Sequence, residues 1–168
     1  MAEDLKRTSN APGFASHPDP DNPGWFTWQL IDETRFNTWM FRKLIVRTDP
    51  DGKARLRMFP ERHHTNLKGV LHGGTVLSLI DVGLFACSRM LGIVEAGTAV
   101  TLDLNTQFIG GGSADKPCDA VTEVLKETRR LVFLRGTVEQ EGELIAAFSG
   151  TIRKPTAPKP PTPKQSTP

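Results

Sequence analysis

Asn66 to Leu91 reads NLKGVLHGGTVLSLIDVGLFACSRML, and the fold turns on this stretch. No glycine or proline interrupts Thr75 to Ile80, and the apolar run is long enough for a helix of several turns. It is apolar almost all round, which implies a helix buried on most sides. Asp81 sits inside it, among Leu77, Leu79, Ile80, Val82, Leu84 and Phe85. A carboxylate there is costly unless it is paired or hydrogen-bonded, and aspartate is a poor helix-interior residue. Asp81 therefore has either a structural partner or a chemical role. Just before the run stands His72-Gly73-Gly74. Two glycines allow a tight turn and the close approach of another molecule. The N-terminus of a helix offers unpaired N–H groups and the positive end of the dipole, a setting that would hold an oxyanion. Asp81 follows roughly two turns further on.

Outward from this helix the chain reads as sheet. Lys43 to Thr48 is strand-like, Asp49-Pro50-Asp51-Gly52 is a turn, and Lys53 to Phe59 alternates, so the two form a hairpin. Gly92 and Gly97 mark the loop that ends the helix. Thr98 to Ile109 alternates again, with Val100, Leu102, Leu104 and Phe108 on one face and Thr101, Asp103, Asn105 and Gln107 on the other. Gly110 to Ser113 is expected to be a flexible turn. Cys118 to Lys126, Leu131 to Glu139 and Glu143 to Arg153 are three more strands, the last two joined by a turn at Glu141-Gly142. Before the helix, Trp25 to Phe41 is rich in aromatic residues and suits core packing; Leu30 to Phe36 within it reads as strand, short helix, or both. Residues 1–23 are polar and read as a mobile arm, 24–154 as one domain, and 155–168 as a disordered, proline-rich tail.

Composition narrows the function. The chain has 168 residues and a formal charge of only +2. The four basic groups Arg153, Lys154, Lys159 and Lys164 fall in a terminal segment without acids, leaving 17 basic against 19 acidic groups in residues 1–152. That is not the composition of a nucleic-acid binder. Ser78, Asp81, Ser88 and Arg89 interrupt the most apolar stretch, so no membrane span is expected. The N-terminus lacks the apolar core of a secretory signal, and Cys87 and Cys118 give no disulfide framework, so a cytoplasmic protein is expected.

One constellation is more specific. His72-Gly73-Gly74, with Asn66 six positions before the histidine and Asp81 nine after it, resembles the hotdog-fold thioesterases of the phenylacetate-pathway (PaaI-like) type. Thr101 to Asn105 is similar to the strand that follows that family's helix, and puts Thr101 where relatives carry Ser or Thr near the reacting centre. The resemblance runs from Leu44 to about Arg153. It implies an α+β single hotdog fold, an antiparallel sheet wrapped around one long central helix. It implies an acyl-CoA thioesterase in which Asp81 is the nucleophile or general base, the Gly73 N–H is the oxyanion donor, and Asn66 and His72 position the reacting groups. Arg129 and Arg130 fall where relatives often place a base against coenzyme A phosphates. No metal or redox cofactor is implied. Relatives form homodimers, often paired into homotetramers, with Asp81 working beside Asn66 and His72 of the other subunit.

Each residue also has a plainer reading. Asp81 suits a structural hydrogen bond, Gly73 helix-start geometry, His72 a cap, a base or a ligand, Asn66 a loop, and Thr101 ordinary strand preference. Arg129 and Arg130 suit a solvated turn. His63, His64 and His72 have no Cys or carboxylate at ligand-like spacing. Two other functions fit the same scaffold: a non-catalytic acyl-CoA sensor, for which Asp81 is dispensable, and a hydroxyacyl thioester dehydratase, whose acid and histidine are arranged differently.

Overall fold

The architecture comes from a computed structural model that describes residues 13–94 and 98–155. In chain order the elements are β1 (Phe14–Ala15), β2 (Phe26–Thr27), β3 (Gln29–Leu30), α1 (Phe36–Met40), β4 (Leu44–Thr48), β5 (Ala54–Met58), a short helical turn at Arg62–His64, α2 (Gly73–Met90), β6 (Val100–Phe108), β7 (Cys118–Glu127), β8 (Leu131–Gln140) and β9 (Glu143–Arg153). Seven strands form one sheet in the order β2-β4-β5-β7-β8-β9-β6, with every neighbouring pair antiparallel. β1 and β3 make a separate small pair. The long helix lies in the curve of the large sheet, which is the hotdog arrangement.

The apolar run supplies the core as expected. Leu79, Ile80, Leu84, Ala86 and Cys87 of α2 are fully buried, against Leu56, Val132, Leu134 and Ile152 of the sheet. Each large aliphatic side chain removed from water contributes about 1.5–3 kcal/mol. By length and composition α2 could cross a membrane, but the sheet buries 67% of it. Two glycines let helix and sheet approach. A Cβ on Gly83 would lie 3.3 Å from Cβ of Ala120, and one on Gly150 would lie 2.9 Å from Cδ1 of Leu84. α2 closes at Leu91, followed by Gly92 at φ 75°. Gly97 lies outside the described residues.

Three expectations are corrected. Residues 13–23 are not a free arm: Phe14 pairs with Leu30, packs edge-on to Trp28 at 4.5 Å and is buried, as are Ser16 and Asp19. Asp19 is held by Lys43 at 2.8 Å; burial raises its carboxyl, but Lys43, the Asn22 amide and the Asp21 N–H together outweigh burial and keep it below the usual range. Residues 1–12 and 156–168 lie outside the described residues. Secondly, Gly110 to Ser113 is packed, with Gly112 buried and its carbonyl accepting from the Leu71 N–H at 2.7 Å. As expected, Leu30 to Phe36 holds both a strand end and a helix start, and the following α1 has no buried residue.

The third correction concerns β6. Its register shifts between Thr101 and Asp103. The bulge resets the alternation, so Thr101, Leu104 and Phe108 all turn toward α2: Thr101 reaches Asp81, Leu104 pairs with Gly150 beneath Leu84, and Phe108 lies beside Gly73. The expected grouping of Leu102 with Leu104 and Phe108 is broken. β6 is also an edge strand, and Val100, Leu102 and Phe108 on it are exposed.

Candidate active site

Two clusters stand at different points along α2. The first is its N-terminus. His72 is the N-cap, and its Nδ1 accepts from the Gly74 N–H at 2.9 Å. A backbone N–H can only donate, so the neutral ring carries its proton on Nε2. His72 thus offers a donor to the outside, not a base. Its carbonyl accepts from Thr75 and Val76 N–H at 2.9 and 3.2 Å. The Gly73 N–H, one of the orphan donors of the first turn, has no partner among the described residues. The ring of Phe108 covers Gly73, 3.4 Å from where a Cβ would sit.

Asn66 stands on the hairpin that leads to this cap. Its Oδ1 accepts from the Lys68 N–H at 2.8 Å, and its backbone closes the turn with Val70 and Gly69, both at 2.9 Å. Its side-chain NH₂ has no partner among the described residues. Arg62, Thr65, Asn66, Leu67, Lys68, Gly69 and His72 line one open cleft. The structure therefore brings Asn66 and His72 together.

The second cluster is Asp81 with Thr101. The Thr101 hydroxyl donates to Oδ1 of Asp81 at 2.7 Å, and both residues are half-buried. Among the described residues this is the carboxylate's only hydrogen bond, and no cation pairs with it. So the acid is neither neutralised nor consumed by structure. Nine residues of helix separate His72 from Asp81, a rise of about 13 Å. One chain therefore carries two half-sites: donors at the start of α2, and an acid with its hydroxyl further along.

Arg129 and Arg130 occupy the exposed β7–β8 turn, where the Arg130 carbonyl accepts from Lys154 N–H at 2.8 Å. In the sheet, Val100 stands opposite Arg153, and Arg153 opposite Leu131. This turn therefore lies at the Thr101 end of β6, the same end as Asp81. The segment is a hairpin turn closed by Thr128, which agrees with the solvated turn read for Arg129 and Arg130.

Other candidates resolve as structure. Burial pushes both thiols, Cys87 and Cys118, up to about 12, so neither is a nucleophile. Among the described residues no three His, Cys, Asp or Glu side chains are grouped to hold a metal. On the outer sheet face, Asp119 joins Arg55 and Arg57 at 2.9 and 2.7 Å, and Arg47 and Arg57 flank Trp25 at 4.5 Å. His64, weighed from sequence only as a metal ligand, is 1% exposed and bonded at both ring nitrogens. Its one legible signal was its place two residues before Asn66.

Comparison with known proteins agrees with this fold. The model of the thioesterase superfamily matches residues 68–147, from the site hairpin into β9. Human acyl-coenzyme A thioesterase 13 is 27% identical over 106 residues, 62% of this chain and 74% of that protein. A conserved protein of Pseudomonas aeruginosa is 33% identical, with a TM-score of 0.54 over 64% of this chain and 82% of that one. A mutant of the phenylacetic acid degradation protein PaaI from Thermus thermophilus is 27% identical, with a TM-score of 0.59 over 71% of this chain and 97% of that one. The chain thus belongs to the thioesterase superfamily, the hotdog-fold thioester hydrolases, on the PaaI-like side of that family.

Proposed function

We propose that this chain hydrolyses acyl-CoA thioesters in a site shared between two copies. The Asp81–Thr101 pair of one copy faces the Gly73 N–H, His72 Nε2–H and Asn66 amide of the second. The observation that carries this reading is the half-buried carboxylate held by one hydroxyl and no cation. A purely structural aspartate in an apolar helix would be expected to have its charge satisfied. The exposed β6 edge, with Val100, Leu102 and Phe108, is the surface on which a second copy would bring the missing donors.

Two routes use the same atoms. In one, Asp81 takes a proton from water as the hydroxide adds to the thioester carbon. In the other, an Asp81 oxygen adds directly and water later cleaves the mixed anhydride. Either way the carbonyl electrons move onto oxygen, where the donors of the second copy hold the oxyanion. Collapse breaks the C–S bond, and coenzyme A leaves as a thiolate that is then protonated. Single turnover in ¹⁸O-water separates the routes: attack by activated water puts one labelled oxygen into every acid released, whereas an anhydride opened at the Asp81 carboxyl carbon releases a fully unlabelled acid first and leaves the label on Asp81.

Arg129 and Arg130 lie at the Asp81 end of the sheet with no ion-pair partner among the described residues, and they suit the coenzyme A phosphates. The buried, reduced cysteines suit a cytoplasmic setting. The acyl group is left to experiment. A thiol-release assay over aliphatic and aromatic acyl-CoA esters, with wild type and Asp81→Asn, tests the proposal. Turnover in the wild type that falls by about 10²–10⁴ in the variant supports it. Binding without turnover in both proteins favours the sensor, and hydration of an enoyl thioester without thiol release favours the dehydratase.

A further inference from the structure

His64 takes no part in the chemistry above, yet it joins the pieces that present it. Its Nδ1 accepts from the Glu61 N–H at 2.7 Å, and its Nε2 donates to the Met40 carbonyl at 2.7 Å. Its own carbonyl accepts from the His72 N–H at 2.8 Å and the Thr75 hydroxyl at 3.0 Å. The ring stacks on Phe41, with centroids 5.9 Å apart, and meets the tilted ring of His63 at 3.8 Å. One residue thus ties the end of α1, the turn that opens the site hairpin, and the first turn of α2.

The hairpin makes this tie consequential. Thr65 pairs with Leu71, and Asn66 bonds Val70 across it, so residues 65–71 are a closed unit. Its base is the backbone bond between His64 and His72. A turn of His64 about that base would swing Asn66 relative to the Gly73 N–H. Filling the core requires only an apolar ring at this place. A ring bonded at both nitrogens to two separate backbone segments sets a relative position instead.

We propose that His64 is a positioning residue of the thioesterase site, holding Asn66 in register with His72 and Gly73. This rests on the thioesterase reading above. Two amide variants divide its bonds. His64→Asn places an oxygen near Nδ1 and keeps the Glu61 bond; His64→Gln reaches the Met40 carbonyl and leaves the Glu61 N–H unmet. Full-length wild type and both variants are assayed for kcat, KM and Tm on the best acyl-CoA of the panel. The expected result is KM within about twofold, with kcat falling by about tenfold to a hundredfold in His64→Gln and substantially less in His64→Asn, because small misplacements at a reacting centre cost that much. Unchanged kcat in both folded variants, or a loss confined to KM, overturns the proposal. If neither variant folds, Thr75→Val removes the hydroxyl strut to the His64 carbonyl with little change in volume. Lower kcat then supports the proposal and wild-type kcat overturns it. A wild type with no turnover on any thioester defeats the thioesterase reading itself, and this inference with it; an active wild type with indifferent variants defeats this inference alone.

Discussion

Replacing Thr101 by Val removes the one hydroxyl that holds Asp81 while keeping a β-branched side chain of similar size in β6. A hydrogen bond to a charged group is worth about 1.5–3 kcal/mol. Thr101 and Asp81 are both half-buried, so water replaces part of the lost bond and the lower end of that range applies. At about 1.4 kcal/mol per tenfold in rate, kcat should drop about tenfold. KM should stay within about twofold, because the hydroxyl touches the acid and not the acyl-CoA body. Thr101→Ser keeps the hydroxyl and should recover most of the rate. The assay is thiol release under saturating substrate, with Tm measured in parallel. Thr101→Val at full kcat, or a loss seen only in KM, would refute the claim that this strap orients the reacting carboxylate.

Three further outcomes are expected. Gly150→Ala forces a methyl to 2.9 Å from Leu84 and 3.2 Å from the Asp103 carbonyl, and should lower stability by about 1–3 kcal/mol in denaturant melts. His64 is kept neutral by burial, with its folded pKa below the ordinary 6.5, while His63 and Glu61 face it. The unfolded chain therefore takes up the proton first, so stability is full above pH 6.5 and declines as pH falls below it; His64→Gln should remove that part of the slope. Arg129→Ala with Arg130→Ala should raise KM for acyl-CoA about fivefold, less at high salt, with kcat unchanged, since exposed charges act at about 1 kcal/mol and are screened.

The helix and the main strands were legible because their periods differ and their punctuation is strong. The run after His72 is apolar all round, whereas β5 alternates cleanly, with Ala54, Leu56 and Met58 buried. The phase of β6 was not legible. A bulge adds a residue without altering composition, so the polar-looking Thr101 turned out to share the inner face with Leu104 and Phe108. The packing of residues 13–23 was hidden for another reason: β1 and β3 are two residues each, too short to show a period. Of the site, Asn66 and His72 were found together in one cleft, and Thr101 was found on Asp81. The tautomer of His72 and the role of His64 depend on which backbone atoms lie opposite the rings, and no spacing in a linear sequence encodes that.

The shared site is tested most directly by mixing two inactive proteins. One carries Asp81→Asn, the other Asn66→Ala with His72→Ala, and subunits are exchanged by mild denaturation and refolding. In a two-fold dimer of one chain of each kind, one site joins the intact acid half to the intact donor half, and the other site carries both lesions. Roughly a quarter of wild-type thiol release should return at random exchange. No recovery, with exchange confirmed by differently tagged chains, would contradict a site built from two copies.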